Sequence, residues 1–396
     1  MIKVLYVLGV GSSGGSSKSL FEAISIQQLD IDIHVLAPKG NVIQMFSKVT
    51  NNVISAKGIS RFDNTKYSHY KGIRWILLLR EILKIPSTFI ALLKAKKKWK
   101  DFDIIHFNEI TEIIPLLICT FLFKSKIVVH VRSIFNKDEK SFRYIILSKI
   151  LNKYADLLIP IDKNVLMTLP NHPNKRVINN SYSRNEKLIK NSSKTLRFGY
   201  LGTLSKMKGI DNLLIACELL NSHDKNFKIL IAGDSIRSIN FFLRKMLSFF
   251  GLVNSKSLND YLKEVKLKRL DTKIKFIGNL KRIDEFFASI DVLIFPTYLD
   301  APGRPVIEAA SYSIPSIVSV SNPQDDTIIN YETGIAIKSN TPQEIMKAMQ
   351  YFLQNPKSIP IMGLNAEKLY KKNFTSKANS EKLITLYKEI LNIRLL

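Results

Sequence analysis

Short apolar runs alternate with helical periodicities along this chain, and the alternation runs through twice. Residues 3–8, 33–37, 104–107, 127–131 and 157–160 are β-branched or aliphatic stretches. Between the first two lies 16–29, where Leu20, Ile24 and Gln28 recur on one face of a helix. Apolar runs without polar alternation are the pattern of parallel strands covered by helices on both faces. A polar stretch, 185–195, interrupts the series. The rhythm restarts with strands over 196–202, 228–232, 274–278, 292–296 and 315–319, and a helix over 210–221. Two successive β-α-β series predict an α/β protein with two doubly wound domains. The 396 residues agree, because one core seldom serves more than ~250–300 residues. The expected division is 1–185, 186–375 and a C-terminal helix, 376–396, packing back on the first domain. The linker is expected near 182–194.

Several classes fall away early. Cys119 and Cys217 lie far apart with no cysteine partner near in sequence, so a disulfide framework or zinc site is not expected and a reducing compartment is. The longest apolar run, 113–123, is well short of the ~20 residues of a membrane span and contains Pro115. The N-terminus has one basic residue, Lys3, and an apolar stretch cut short by glycines, so it is a poor signal peptide. The formal charge of +26 is uneven. Residues 1–200 hold 32 basic and 14 acidic side chains, a net +18; residues 201–396 hold 27 and 19, a net +8. Such a surface favours anionic lipid, nucleic acid or phosphorylated ligands, though a lysine-rich composition by itself gives the same excess. No recognised nucleic-acid module or aromatic-basic stripe accompanies it.

In parallel sheets of this kind ligands bind beyond the carboxyl ends of the strands, so motifs there carry the most information. Gly9-Val10-Gly11-Ser12-Ser13-Gly14-Gly15 follows the first strand and contains G-x-G-x-x-G. A dinucleotide site also needs an acid at the end of the second strand. That strand ends Leu36-Ala37-Pro38-Lys39, and Asp30 and Asp32 precede it, which disfavours a nicotinamide-dependent oxidoreductase or epimerase. The turn still offers backbone amides to an anion, or it is a tight turn and nothing more.

The richest segment is Asp300-Ala301-Pro302-Gly303-Arg304-Pro305-Val306-Ile307-Glu308. Pro305 suits the first turn of a helix, and Gly303 stands just before it. A helix N-terminus behind a glycine is an anion site that fits a diphosphate. Glu308, one turn in, can accept hydrogen bonds from the paired hydroxyls of a ribose, and Asp300 from sugar hydroxyls. Lys208, in the turn 199–209 after an earlier strand, is a natural diphosphate cation at the same sheet edge. Asp234 follows another strand and reads equally as a helix cap.

These residues resemble the retaining glycosyltransferases of family 4, whose GT-B fold has two Rossmann-like domains facing across a cleft. Asp300 and Glu308 match the E-x7-E signature, with Asp for the first Glu, and Gly303 matches its glycine. The stretches 284–297, 307–319 and Gly334 resemble the flanking elements. The resemblance implies that Glu308 holds the nucleotide ribose, that Asp300 meets the donor sugar and that Lys208 neutralises the diphosphate. The arginine usual five residues earlier is Thr203 here, and Lys206 or Arg304 is expected to compensate. In the first domain it implies an acceptor site, with Gly14 and Gly15 near the donor diphosphate. It also implies a histidine after a strand, which falls on His130 or Arg132; His106 is a weaker third choice.

The implied activity is metal-independent transfer, with retention, from a nucleotide-diphosphate sugar to a glycan or lipid-linked acceptor in cell-surface polysaccharide biosynthesis. A catalytically silent glycosyltransferase-like protein is the alternative that Thr203 and Asp300 keep open. No cofactor, metal or nucleic acid is expected. Lys71, Arg74, Trp75, Arg80 and Lys84 lie in a basic, apolar stretch, 70–100, that Pro86 splits into two helices. That pattern reads either as a cytoplasmic protein docking on the inner face of an anionic membrane or as core-packing helices with solvated lysines.

Overall fold

A computed structural model describes residues 1–26, 30–68, 70, 75–184, 195–223, 226–233, 256–280 and 282–393. Gln28, Lys71, Arg74, Asp234 and the linker positions 185–194 lie outside the described residues. The chain forms two compact units, Met1–Ser183 with Asn373–Leu396, and Arg184–Lys372.

The first unit is built on a six-stranded parallel sheet: β1 Ile2–Val7, β2 Ile31–Pro38, β3 Val53–Ala56, β4 Ile104–Phe107, β5 Lys126–Val131 and β6 Leu157–Pro160. Its order is β3-β2-β1-β4-β5-β6. Side chains alternate across the sheet, so β1 feeds two cores. Leu5 and Val7 join Ile105, Phe107 and Val129 on one face. Val4 and Tyr6 join Ile33, Val35 and Val128 on the other. The C-terminal helix Ser376–Ile390 closes this second face with Leu383, Leu386 and Tyr387. Its N-terminus is capped by Thr375, whose hydroxyl accepts from the Ala378 amide.

The second unit repeats the plan with β7 Leu196–Leu201, β8 Phe227–Ala232, β9 Ile274–Gly278, β10 Val292–Phe295, β11 Ser316–Ser319 and β12 Gly334–Ile337. Its order is β12-β11-β10-β7-β8-β9, and each neighbouring pair is parallel. Each sheet reverses direction once: β1 lies beside β4, and β7 beside β10. Loops at these two junctions part to either side, which leaves a crevice at the carboxyl edge.

The doubly wound expectation holds in both units. Two strands were missing from it, β3 and β12. Each is four residues long and lies at a sheet edge. The first helix, expected over 16–29, runs Gly15–Ile24. Pro86 stands in the first turn of Ile85–Trp99 and so separates it from Ile76–Leu83. Both cysteines are buried free thiols. No helix among the described residues is long and apolar enough to cross a membrane.

Candidate active site

In the second unit the predicted groups gather where β7 and β10 lie side by side. The turn after β7 ends in a short 3-10 segment, Lys206–Lys208, closed by Gly209 in the left-handed region (φ 78°). A Cβ at Gly209 would stand 1.8 Å from the Pro296 carbonyl oxygen, so only glycine fits. The Met207 carbonyl accepts from the Tyr298 amide (3.0 Å) and from the Thr297 hydroxyl (3.2 Å). These bonds lash the turn to the loop after β10.

Phe295, the last residue of β10, makes the next link. The Lys208 Nζ lies 5.4 Å from its ring centroid. Gly303 faces the same ring from the other loop, where a Cβ would come within 2.5 Å of it. Lys208 is half-buried, and burial lowers its pKa from the usual lysine value. Lys206 and Thr203 are exposed.

Gly303 caps the helix Arg304–Ser311 in extended backbone, with Pro305 in its first turn. The apolar Val306 and Ala309 anchor this helix to the core that holds Phe295. Glu308 is turned inward and is 6% exposed. The Arg304 Nε donates to its Oε1 at 2.7 Å, an i,i+4 pair with both side chains largely buried. Arg304 therefore faces Glu308. Asp300 has a left-handed backbone (φ 50°), a conformation Asp tolerates better than most residues. Its Oδ1 accepts from the Ser321 amide (2.7 Å) and its Oδ2 from the Ser321 hydroxyl (2.9 Å). Asp300 thus ties its loop to the end of β11.

In the first unit His130 and Arg132 sit together at the end of β5. The Arg132 guanidinium lies 3.3 Å from the His130 Nδ1 and donates to Asn108 Oδ1 (2.9 Å) and Asn180 Oδ1 (2.6 Å). Burial, Arg132 and His106 all push the His130 pKa well below its usual value, against a backbone hydrogen bond with Ile178. His130 is thus a neutral imidazole. His106 lies 5.4 Å away, ring to ring, and its Nδ1 is 2.6 Å from the Tyr387 hydroxyl. Burial, then Arg132, lowers its pKa to about 3.

The glycine turn divides into two parts. Gly9 and Gly11 are needed for packing. A Cβ on Gly9 would meet Arg61 and Glu112, and one on Gly11 would stand 2.5 Å from the Lys39 carbonyl oxygen. Gly14 has open space around it and caps the helix that begins at Gly15. Lys39, not an acid, follows β2, and the early Asp32 pairs with His34 at 2.9 Å.

Sequence reasoning missed Glu112. Its carboxylate is 3% exposed and accepts from the amides of Gly9 and Asn108 (3.0 Å for the latter). It so joins the turn after β1 to the end of β4. Burial raises its pKa to about 8; the Glu109 charge adds to this, and Arg61 with the two amides opposes it. A cavity of about 330 Å³ opens here, lined among others by Val10, Arg61, Tyr70, Arg80, Glu109 and Glu112. The signal available was Glu109 and Glu112 standing just after β4, inside a segment that otherwise reads as apolar.

Of the basic stretch, Arg80 and Lys84 both bind Glu81, at 2.8 and 2.9 Å. Glu81 is the buried residue of the helix Ile76–Leu83. Burial opposes its charge, but Lys84, the Arg61 amide and Arg80 hold its pKa below the usual glutamate value. Trp75 is exposed, stacks on Tyr70 at 5.2 Å and carries Arg143 over its ring.

Comparison with known proteins places this geometry. Residues 183–369 match the family model of the glycosyl transferases group 1. The match spans just under half of the chain and lies almost wholly within the second unit. The chain is 24% identical over 193 residues to CapM of Staphylococcus aureus, a capsular polysaccharide biosynthesis glycosyltransferase. That match covers 49% of this chain and 46% of CapM, so it spans about half of that relative. It is 23% identical over 334 residues to CapH of the same organism, covering 83% of this chain and 84% of CapH. The fold matches Anabaena HepE in complex with UDP with a TM-score of 0.74, at 15% identity, over 98% of this chain and all of that one. The structure of HepE with UDP-glucose matches at 0.71, with 14% identity over the same shares. The architecture matches that of GT-B glycosyltransferases, with two Rossmann-like parallel-sheet units.

Glu112 provides a pH-linked check on the first unit. Its carboxyl is protonated in both states below about pH 4.5, the ordinary value. The unfolded chain releases that proton near pH 4.5, while the folded one holds it to about pH 8. The carboxyl's contribution to stability is therefore full below pH 4.5 and lost as pH rises to 8. The melting-temperature difference between wild type and Glu112→Gln should move against wild type from pH 5 to pH 8. A difference independent of pH would contradict the shift.

Proposed function

We propose that this chain transfers a sugar from a nucleotide-diphosphate sugar to a glycan or lipid-linked acceptor, as a retaining family 4 enzyme of capsule-like polysaccharide biosynthesis. One observation carries the reading: Lys208 and the glycine that leads the helix Arg304–Ser311 both pack on Phe295 at one strand end, and that helix carries the buried Glu308. A cation and a helix N-terminus suit a diphosphate, and an inward carboxylate suits ribose hydroxyls. The UDP and UDP-glucose bound to HepE support a nucleotide-sugar donor, and the names of CapM and CapH support the capsule setting.

Bond breaking between the anomeric carbon and the diphosphate oxygen leaves negative charge on the nucleotide. Lys208 and the helix N-terminus are already in place to stabilise it, so their contribution grows as the bond breaks. Half-burial of Lys208 strengthens that interaction by excluding water. In this reading the acceptor hydroxyl attacks from the leaving-group face and its proton passes to the departing diphosphate oxygen. The family's histidine role falls in this reading to His130, which stays neutral beside the Arg132 guanidinium. In this reading Asp300 meets the donor sugar once released from Ser321. The acceptor occupies the first unit, whose cavity beside Glu109 and Glu112 is polar and large enough for a sugar ring. No metal is required, since fixed cations carry the charge.

A peripheral membrane position is part of the proposal. The helix Ile76–Leu83 turns its acid inward and its apolar side chains outward: Ile76 is 67% and Leu83 72% exposed, and Leu79 and Ile82 are exposed with them. Phe89, Ile90 and Leu93 continue this face on Ile85–Trp99, beside the exposed Lys94, Lys97 and Lys98. Apolar side chains amid lysines match the boundary of an anionic bilayer. In this reading the protein docks on the cytoplasmic face of the cell membrane.

Turnover of UDP-sugars and other nucleotide sugars, followed by nucleotide release with a cell-envelope extract as acceptor, tests the reaction. Glu308→Gln should lower kcat/KM at least ~100-fold, on the scale of losing a charge-matched donor contact, with an unchanged circular dichroism spectrum. Turnover near that of wild type would remove Glu308 from the site. The same assay in EDTA should run at the original rate; loss of activity regained with Mg²⁺ or Mn²⁺ would end the metal-independent reading. For the membrane, co-flotation with vesicles containing phosphatidylglycerol should be strong at low salt and weaken in Leu79→Glu/Leu83→Glu. Failure of the wild-type protein to float at low salt would refute docking.

A further inference from the structure

Arg304 stands where a second diphosphate cation was expected, yet its Nε donates to Glu308 at 2.7 Å, with both side chains mostly buried. Glu308 poses an electrostatic problem at this position. It lies one helical turn beyond the N-terminus that would receive a diphosphate, and a buried carboxylate there repels the ligand's negative charge. It must nevertheless stay ionised and correctly turned to accept two hydroxyl donors. An arginine at i−4 answers both demands. Its charge cancels that of Glu308 locally, and its planar donors fix the carboxylate's rotation. The helix begins at Arg304, so the backbone itself sets this spacing.

We propose that Arg304 is the positioning residue of the donor site: it neutralises and aims Glu308, so that nucleoside and diphosphate are held a single helical turn apart, and the diphosphate is left to Lys208 and the helix amides. This rests on the donor-site reading above and specifies how that site divides its cations. A chain with an uncharged residue at 304 would bear an uncompensated carboxylate beside the diphosphate.

Isothermal titration of the full chain with UDP, GDP and ADP tests it, taking the tightest of the three as probe. Arg304→Met should weaken that nucleotide about tenfold or more. Arg304→Lys, which can still reach Glu308, should recover most of the loss. The decisive comparison is the double variant Arg304→Met/Glu308→Gln. If Arg304 acts through Glu308, the double variant binds within about threefold of Glu308→Gln alone, because no buried charge remains to be neutralised. If Arg304 holds the phosphates directly, the two losses multiply and the proposal is overturned. Equal binding by Arg304→Met and wild type overturns it too. Thermal melting of each variant in the absence of nucleotide separates unfolding from loss of binding; where Arg304→Met unfolds, the Arg304→Lys comparison decides. Binding of none of the three nucleotides to wild type removes the donor-site reading, and the proposal falls with it.

Discussion

The Phe295 ring organises the second unit's site. It is the last residue of a strand, 3% exposed, with Lys208 over its face and Gly303 against its edge. A residue on a strand bonded to neighbours on both sides is placed more precisely than one on a loop. Two loops that begin on different strands are therefore indexed to one buried ring. The polar groups inherit this precision. Gly209 and Gly303 are required because a side chain at either would push a loop off its support. Lys208 and the loop that leads to Glu308 are thus positioned by apolar packing.

The first unit uses buried polar groups for the same end. Glu112 bonds the amides of Gly9 and Asn108 and so holds two strand ends together. His106, Tyr387 and Tyr6 form a buried chain that connects the C-terminal helix to the middle of the sheet. Each polar atom paired here avoids the desolvation penalty of burial, and each pairing fixes a direction. The resulting imidazoles are neutral because burial and Arg132 oppose a second positive charge.

Much of this was legible in the amino-acid order. The short continuous apolar runs between helical patterns gave ten of the strands, since strands covered on both faces have that pattern. β3 escaped because it is an edge strand, mostly half-buried or exposed, with no continuous apolar run, and β12 because it opens on Gly334, which reads as a turn glycine. The Asp300–Glu308 segment was legible because proline, glycine and spacing define a loop and helix start locally. What sequence could not supply were pairings across distance. The Arg304–Glu308 pair comes from the i,i+4 spacing of the helix, which is read only once the helix start is known. Glu112 was hidden because its importance depends on Gly9, more than a hundred residues away. Asp300 looked like a sugar contact, while its bonds to Ser321 depend on the neighbouring strand end.

The helix Ile76–Leu83 has a consequence for how orientation is encoded. Ordinarily an amphipathic helix is turned by its apolar stripe. Here the clamp formed by Glu81 with Arg80, Lys84 and the Arg61 amide sets the roll angle, and the oily side faces outward as a result. One carboxylate thus acts as a rotational lock. Were it replaced by a leucine, the helix would have no reason to keep its greasy side outward, and rolling inward would hide that surface from any partner. In this element a single buried carboxylate, and not an apolar stripe, marks the inward face.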